Sequence, residues 1–331
     1  MVRFTVLASG SKGNATVVSG GRTRILVDCG LSCRELFRRM KQVGEEPETL
    51  GAILITHEHS DHVGGLAVTA RKLGIPVYFT EGTHRAWMRW LSPRKQMTYA
   101  QWLEQIRKLA AERQAEADAA AVEGEPDESD LAEPAEAARE AAQPGEMQKE
   151  CEPARAKDPT WLPAVEYFQA GEPFEIGDIA ISPFTIPHDA ADPVGFVFRA
   201  EGVRMAFATD LGYIPPNVKA QLQGVDLLLL ESNHDLEMLR DGPYPWAVKQ
   251  RVLSRVGHLS NEAAASFLQD GYDGQAAYVI LAHLSESNNL PELARVTAER
   301  ALNGRPSLLA NLLLLAKQHE PLSSLYFEWY K

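Results

Sequence analysis

Three cysteines in 331 residues are too few for a disulfide framework. Cys29, Cys33 and Cys151 suit a reducing compartment, and the pair Cys29 and Cys33 reads as two buried small apolar residues rather than as half of a metal site. Long apolar runs are missing too. Stretches such as Leu227–Leu230 and Leu312–Ala316 fall far short of the ~20 residues that a membrane-spanning helix needs. Val2–Ala8 is a short strand-like run followed at once by Ser9-Gly10-Ser11, not a secretory signal. A cytoplasmic protein with no membrane partner is therefore expected. Positive charge is scarce, with 33 Lys and Arg against 45 Asp and Glu and a net charge of −12. That deficit is local. Residues 104–158 hold 7 basic and 16 acidic side chains, and the remainder holds 26 and 29. The folded body is thus near neutral, which neither advertises nor excludes nucleic acid as a partner. A serine nucleophile elbow is lacking, because Ser11 does not sit in G-x-S-x-G.

With 45% hydrophobic and 24% charged residues, the rest has the composition of an ordinary globular protein, with ample core. Strand-like runs at 3–7, 16–19 and 24–27 open the chain, with Gly20-Gly21 turning between the last two. Ser32 has the character of a helix N-cap for a helix to about Gln42. A strand at 52–55, a helix at 63–73, a strand at 77–79 and a helix at 81–91 follow. The second half mirrors the first, with strands at 179–186, 194–199, 204–208, 225–230 and 278–282 and helices at 215–222, 246–255, 260–270 and 291–302. Strands pairing by hairpins in each half, with helices outside, predict an α/β fold of two packed sheets, an αββα sandwich forming a single domain over 1–331. Between the halves, about 100–158, lies an Ala-, Glu-, Pro- and Gln-rich insertion. Its first part, Tyr99 to about Ala121, has helix-forming composition, and 122–158 reads as disordered and acidic, a tolerated surface insertion or a docking segment.

Against this background one run stands out: His57-Glu58-His59-Ser60-Asp61-His62, an H-x-H-x-D-H pattern. Three imidazoles and a carboxylate in six residues is metal-ligand density. The run follows the apolar segment Gly51–Thr56, so it occupies the loop leaving a strand's C-terminal end, where open α/β sheets place their sites. Three more polar residues end apolar runs: His188, Asp210 and His283. A strand-end histidine is ordinarily a surface or hydrogen-bonded residue, but together with the first run these supply what two adjacent divalent ions need.

The spacing resembles the metallo-β-lactamase superfamily over nearly the whole chain apart from the insertion. The resemblance implies that His57, His59 and His188 hold one ion, that Asp61, His62 and His283 hold a second, and that Asp210 bridges both. Asp28 then orients the loop by hydrogen bonds without binding metal. Nitrogen and oxygen donors suit Zn²⁺, with Mn²⁺ or Fe²⁺ as alternatives. Two such ions can share a hydroxide that acts as nucleophile near neutral pH, aimed by a hydrogen bond to Asp61, and hydrolysis is the natural reaction.

Gly257-His258-Leu259-Ser260-Asn261 precedes a helix and is similar to the phosphodiesterase branch of the superfamily, where the equivalent histidine donates a hydrogen bond or proton near the scissile phosphate. His258 is thus a candidate general acid, or alternatively a capping residue. Ser9–Asn14, Glu231–Asp235, Tyr244-Pro245-Trp246 and His283–Asn289 resemble the YycJ/WalJ group, which implies 5′-exonuclease action on DNA and a place in DNA repair or maintenance. The insertion departs from that group. In Ser9–Asn14, Ser11 and Asn14 offer groups to a phosphate, or the loop is merely a tight turn. Asn233 and His234 end the 225–230 strand as supporting residues, whereas His84 and His319 read as surface histidines. Two other readings stay open. One is a thioester or lactone hydrolase of the glyoxalase II type, which uses the same ions without needing His258. The other is a non-catalytic metal-stabilised scaffold.

Overall fold

The computed structural model describes residues 1–92, 107–108, 158–303 and 311–327. The chain divides into a compact body, Met1–Leu91 with Asp158–Lys331, and a second unit, Ser92–Lys157. The expectations for a helix at 99–121 and a disordered stretch beyond it fall almost wholly outside the described residues.

Two seven-stranded sheets make the body. The first contains β1 (Val2–Ala8), β2 (Ala15–Ser19), β3 (Arg24–Val27), β4 (Ala52–Leu54), β5 (Val77–Phe79), β6 (Val165–Tyr167) and, beside β1, β14 (Leu325–Phe327). The second contains β7 (Phe174–Ile176), β8 (Ile179–Thr185), β9 (Val194–Ala200), β10 (Val203–Ala208), β11 (Leu227–Glu231), β12 (Tyr278–Ala282) and β13 (Leu312–Leu315). Each sheet is antiparallel in one half and parallel in the other: β1, β2 and β3 alternate while β3 to β6 run parallel, and β7 to β10 alternate while β10 to β13 run parallel. The expected mirroring of the halves is present. Pairing by hairpins describes only half of it, because the helical crossovers force the later strands parallel.

The period of two along each strand sorts its side chains between two cores. Ile25, Val27 and Leu54 from the first sheet meet Leu227, Leu229, Phe196 and Phe198 from the second in one buried cluster. Their neighbours Leu26 and Ile53 face the opposite way, onto α1 (Cys33–Gln42) and α3 (Leu66–Leu73) through Leu36, Met40 and Leu66. Leu228, Leu230, Val279 and Leu281 pack outward on Val218 of α5 (Pro216–Gln221), Ala264 of α8 (Asn261–Ser266) and Ala298 of α9 (Pro291–Asn303). The αββα order follows. The remaining α-helices are α4 (Glu81–Leu91), α6 (Leu236–Asp241) and α7 (Trp246–Val252).

Two expectations need correction. The helix expected at 63–73 is two, α2 (Ser60–Val63) and α3, broken at Gly64-Gly65. A Cβ on Gly65 would lie 1.8 Å from the Leu31 carbonyl oxygen, so the chain crosses its neighbour too closely for a continuous helix bearing side chains. His84 is not a surface residue. It is buried against Phe79 and Trp87, with Nδ1 2.8 Å from the Tyr167 hydroxyl. His319 is exposed, as expected. Cys29 and Cys33 are buried, and burial pushes the Cys29 thiol up to about 12, so it stays protonated. No helix among the described residues is long and apolar enough to cross a membrane.

Candidate metal centre

Strands from both sheets end at one place. Asp28 follows β3, His57 lies three residues past β4, and His188 lies three past β8. Asp210 is two residues past β10, Glu231 ends β11 and His283 follows β12. Parallel pairing aligns these carboxyl ends. Among the described residues only four that are not glycine have a positive φ, and three of them are here: Asp28 (59°), Asp210 (61°) and His283 (57°). The left-handed turn costs an L-residue energy, and it aims each side chain inward directly off its strand.

The side chains converge in overlapping groups whose donor atoms lie within 4.8 Å of one another: His57, His59 and His188; His57, His62 and Asp210; Asp61, His62 and His283; and Asp210, Glu231, His258 and His283. Every metal-ligand candidate from the sequence is therefore brought to one spot. Most of the imidazoles are held from behind. His57 Nδ1 is 3.0 Å from Thr56 Oγ1, His62 Nδ1 is 2.8 Å from Asp28 Oδ2, His188 Nδ1 is 3.2 Å from the Gly257 carbonyl, and His283 Nδ1 is 3.0 Å from Glu231 Oε1. Such outer partners fix ring orientation and leave Nε2 to point at the centre.

Three observations test whether these residues fit metal ions. First, His57 Nε2 and Asp210 Oδ2 are buried with no hydrogen-bond partner, a costly state unless something else satisfies them. Second, His59 Nδ1 and His188 Nε2 are 3.2 Å apart, Asp61 Oδ2 is 3.4 Å from both His62 Nε2 and His283 Nε2, and His62 Nε2 is 3.5 Å from Asp210 Oδ2. Donors sharing a tetrahedral zinc at 2.0–2.1 Å are separated by roughly 3.3 Å. Third, the carboxylates of Asp28, Asp61, Asp210 and Glu231 gather beside imidazoles, amides and hydroxyls, with no Lys or Arg bonded to any of them among the described residues. The residues fit a cationic group.

The protonation pattern has the same cause. Burial, aided by the neighbouring imidazoles, holds His57 well below the usual histidine value and keeps it neutral. Burial would also depress His62 and His283, but Asp210 with Asp28 and Asp61 reverses this for His62. Asp210 with Asp61 and Glu231 does so for His283. The acids thus favour the protonated form of these two rings. Burial pushes Glu231 up, and His258 and His283 more than offset it, leaving the group ionised.

The centre floors a cleft of about 360 Å³ whose walls include Ser11, Tyr244, Arg251 and His258. His258 Nδ1 lies 2.7 Å from Glu231 Oε1 and 3.9 Å from Asp210 Oδ1. Asn14 Nδ2 is 3.1 Å from Asp61 Oδ2 and 3.0 Å from His62 Nε2, while its Oδ1 accepts from Gly10 N at 2.8 Å and closes the Ser9–Asn14 turn. Asn233 Nδ2 donates to the His283 carbonyl at 2.8 Å. Asp28 touches Thr56 and His62 and lies outside the groups of converging donors.

Sequence reasoning passed over Glu231 as a site residue. It is fully buried, orients His258 and His283 through one oxygen, and accepts from Leu211 N at 2.9 Å and Leu259 N at 3.1 Å through the other. The available signal was an acid closing four leucines, since a buried charge persists only where partners satisfy it. Gly30 was passed over as well: a Cβ there would meet the Asp61 carbonyl oxygen at 1.7 Å, so the metal loop packs on bare backbone.

The comparisons agree with this geometry. A family model described as the metallo-beta-lactamase superfamily matches residues 8–248. Exodeoxyribonuclease YycJ of Bacillus anthracis is 33% identical over 301 residues, 91% of this chain and 89% of its own length. Exodeoxyribonuclease WalJ of Streptococcus pneumoniae is 32% identical over 295 residues, 89% of this chain and 86% of its own. Among solved structures, the metallo-beta-lactamase fold protein YhfI from Bacillus subtilis covers 97% of this chain and 98% of its own with a TM-score of 0.58 at 14% identity. The chain belongs to the metallo-β-lactamase superfamily. It is a metal-dependent hydrolase.

Proposed function

We propose that the chain hydrolyses phosphodiesters of nucleic acid, as a DNA exonuclease acting from the 5′ end, with two divalent ions, zinc by donor type. His57, His59 and His188 would hold one ion, Asp61, His62 and His283 the other, with Asp210 between them. Bound there, the pair supplies Lewis acidity and a water of lowered pKa. The remaining work falls to the chain. His57 keeps its neutral Nε2 as an acceptor, Asp28 and Glu231 fix the rings of His62 and His283, and Asn14 holds Asp61 in place through its carboxylate.

His258 carries the choice of substrate. Its Nδ1 is engaged by Glu231, which leaves Nε2 as the atom that donates a proton to the departing deoxyribose oxygen. An alkoxide needs that proton, whereas a thiolate leaves without it. A ring held over the cleft to deliver that proton is therefore superfluous in a thioester hydrolase and useful in a phosphodiesterase. The whole-length similarity to exodeoxyribonucleases supports DNA as the polymer.

The test incubates the purified, metal-loaded protein with end-labelled single- and double-stranded DNA and RNA, and separately with a thioester. Mononucleotide release from 5′-labelled DNA supports the reading. No cleavage in Zn²⁺ or Mn²⁺ alongside thioester hydrolysis overturns it.

A further inference from the structure

The segment that lines the cleft beside His258 has a composition of its own. From Gly242 to Asn261 there is no acidic residue, in a chain of net charge −12, while Lys249, Arg251 and Arg255 fall within it. Arg251 is the one Lys or Arg among the residues lining the cleft. The same stretch exposes apolar surface. Trp246 is 66% and Val248 38% exposed, and Tyr244 and Val248 both line the cleft that holds Asp61, Asp210 and His258. An exposed aromatic and aliphatic surface beside a cation, next to donors that fit divalent cations, is chemistry for a group that is flat and carries phosphate.

The wall is also firmly placed. Arg251 pairs with Asp189 through Nε, and through Nη2 at 3.0 Å, which uses two of its five N–H donors. Asp189 N donates to Val256 O at 3.0 Å, and the neighbouring His188 reaches the Gly257 carbonyl. The segment therefore meets the metal site through His188 at one point and delivers His258 at another. A ligand resting on Tyr244 and Arg251 has its reacting bond set by the same backbone that positions the general acid.

We propose that Tyr244–Arg255 is the wall that binds the nucleotide being removed: Tyr244, with Val248, packs on its base, and Arg251 contacts a phosphate of the same strand. This rests on the nuclease reading and adds which end-group is recognised and how. A single aromatic face accepts a base only when that base is out of its stack, so the wall selects a frayed or single-stranded terminus. Because every base has such a face, recognition is indifferent to sequence.

The experiment compares metal-loaded wild type, Tyr244→Ala, Tyr244→Phe and Arg251→Ala on two single-stranded oligonucleotides, one with a normal 5′-terminal nucleotide and one whose terminal residue is abasic. Tyr244→Ala is expected to raise KM for the normal strand about tenfold, the size of one base–aromatic stack, and to leave the abasic strand unchanged. Tyr244→Phe retains the wild-type KM. Arg251→Ala raises KM on both strands and reduces the slope of log affinity against log salt by about one. If Tyr244→Ala shows the wild-type ratio between the two strands, the proposal fails and the nuclease reading stands, because wild type still cuts the normal strand. If wild type cuts neither, both fail. Thermal melting of each variant identifies any that has lost its fold, and Tyr244→Phe carries the test in that case, since a rise in its KM also counts against base packing.

Discussion

Glu231 Oε1 bonds His258 Nδ1 at 2.7 Å and His283 Nδ1 at 3.0 Å, so one buried oxygen orients both a candidate metal ligand and the candidate proton donor. Glu231→Gln keeps the shape and removes the charge that both rings bond. We expect kcat to fall by about 10–100-fold, the usual cost of losing an outer partner. Metal content should change less than kcat, and elemental analysis beside steady-state kinetics checks the split.

His258→Ala should separate substrates by leaving group. On DNA the loss of a general acid is expected to cost about 10²–10⁴ in kcat. On a diester whose leaving group departs without a proton, such as a p-nitrophenyl ester, the loss should be slight. Equal losses on both would remove His258 from proton transfer.

Gly30→Ala is expected to be severe for its size. The added methyl would lie 1.7 Å from the Asp61 carbonyl oxygen and 2.7 Å from Asn14 N, both backbone atoms with no rotamer to escape into. The loop bearing Asp61 and His62 must move, and metal content should drop below that of an exposed control such as Gly51→Ala, whose Cβ would meet only the Arg24 carbonyl oxygen, at an ordinary 3.7 Å.

Chelation should lower thermal stability. Each of two ions held at a thousand times its Kd contributes about 4 kcal/mol, about 8 together, and a body of this size shifts by about 2–4 °C per kcal/mol. Calorimetry with and without chelator should therefore show Tm falling by roughly 20 °C, with recovery when Zn²⁺ is restored.

Acid sensitivity should include a part from His234. The ring is 1% exposed, neither nitrogen has a hydrogen-bond partner among the described residues, and burial pulls its pKa down to about 4. Unfolded, it titrates near 6.5. The unfolded chain thus binds a proton that the folded chain refuses, and stability falls as pH drops from about 6.5 to about 4. His234→Leu should reduce the loss between pH 7 and pH 5 by about 2 kcal/mol, read as urea midpoints on chelated protein.

The candidate ligands were legible because each is a His or Asp that either crowds one six-residue run or stops an apolar strand, patterns visible without knowing what the strand pairs with. Glu231 was not, because it belongs to its strand and its role appears only when β10, β12 and the 258–259 loop close around it. Gly30 gave no signal, since close approach of two backbones is a property of pairs of segments. The layered class followed from alternating strands and helices, but parallel pairing could not be read from residues that look alike in either sense. β6, β7 and β14 are three residues long, too short to show a period. His84 looked like a surface residue for want of strand context, and Tyr167, its partner, lies 83 positions away.

The delivery of donors by strand ends of both sheets has a consequence for synthesis. The first and last of the converging residues, His57 and His283, are 226 positions apart. Closing so long a separation is slow relative to forming local helices and hairpins. A ribosome-bound chain that has emerged only as far as Asp210 can present the imidazoles of the first sheet but cannot complete the second group of donors. Competence to hydrolyse is then expected to arrive in a single late step, when β12 docks beside β11, and a truncated product is expected to be inert rather than weakly active.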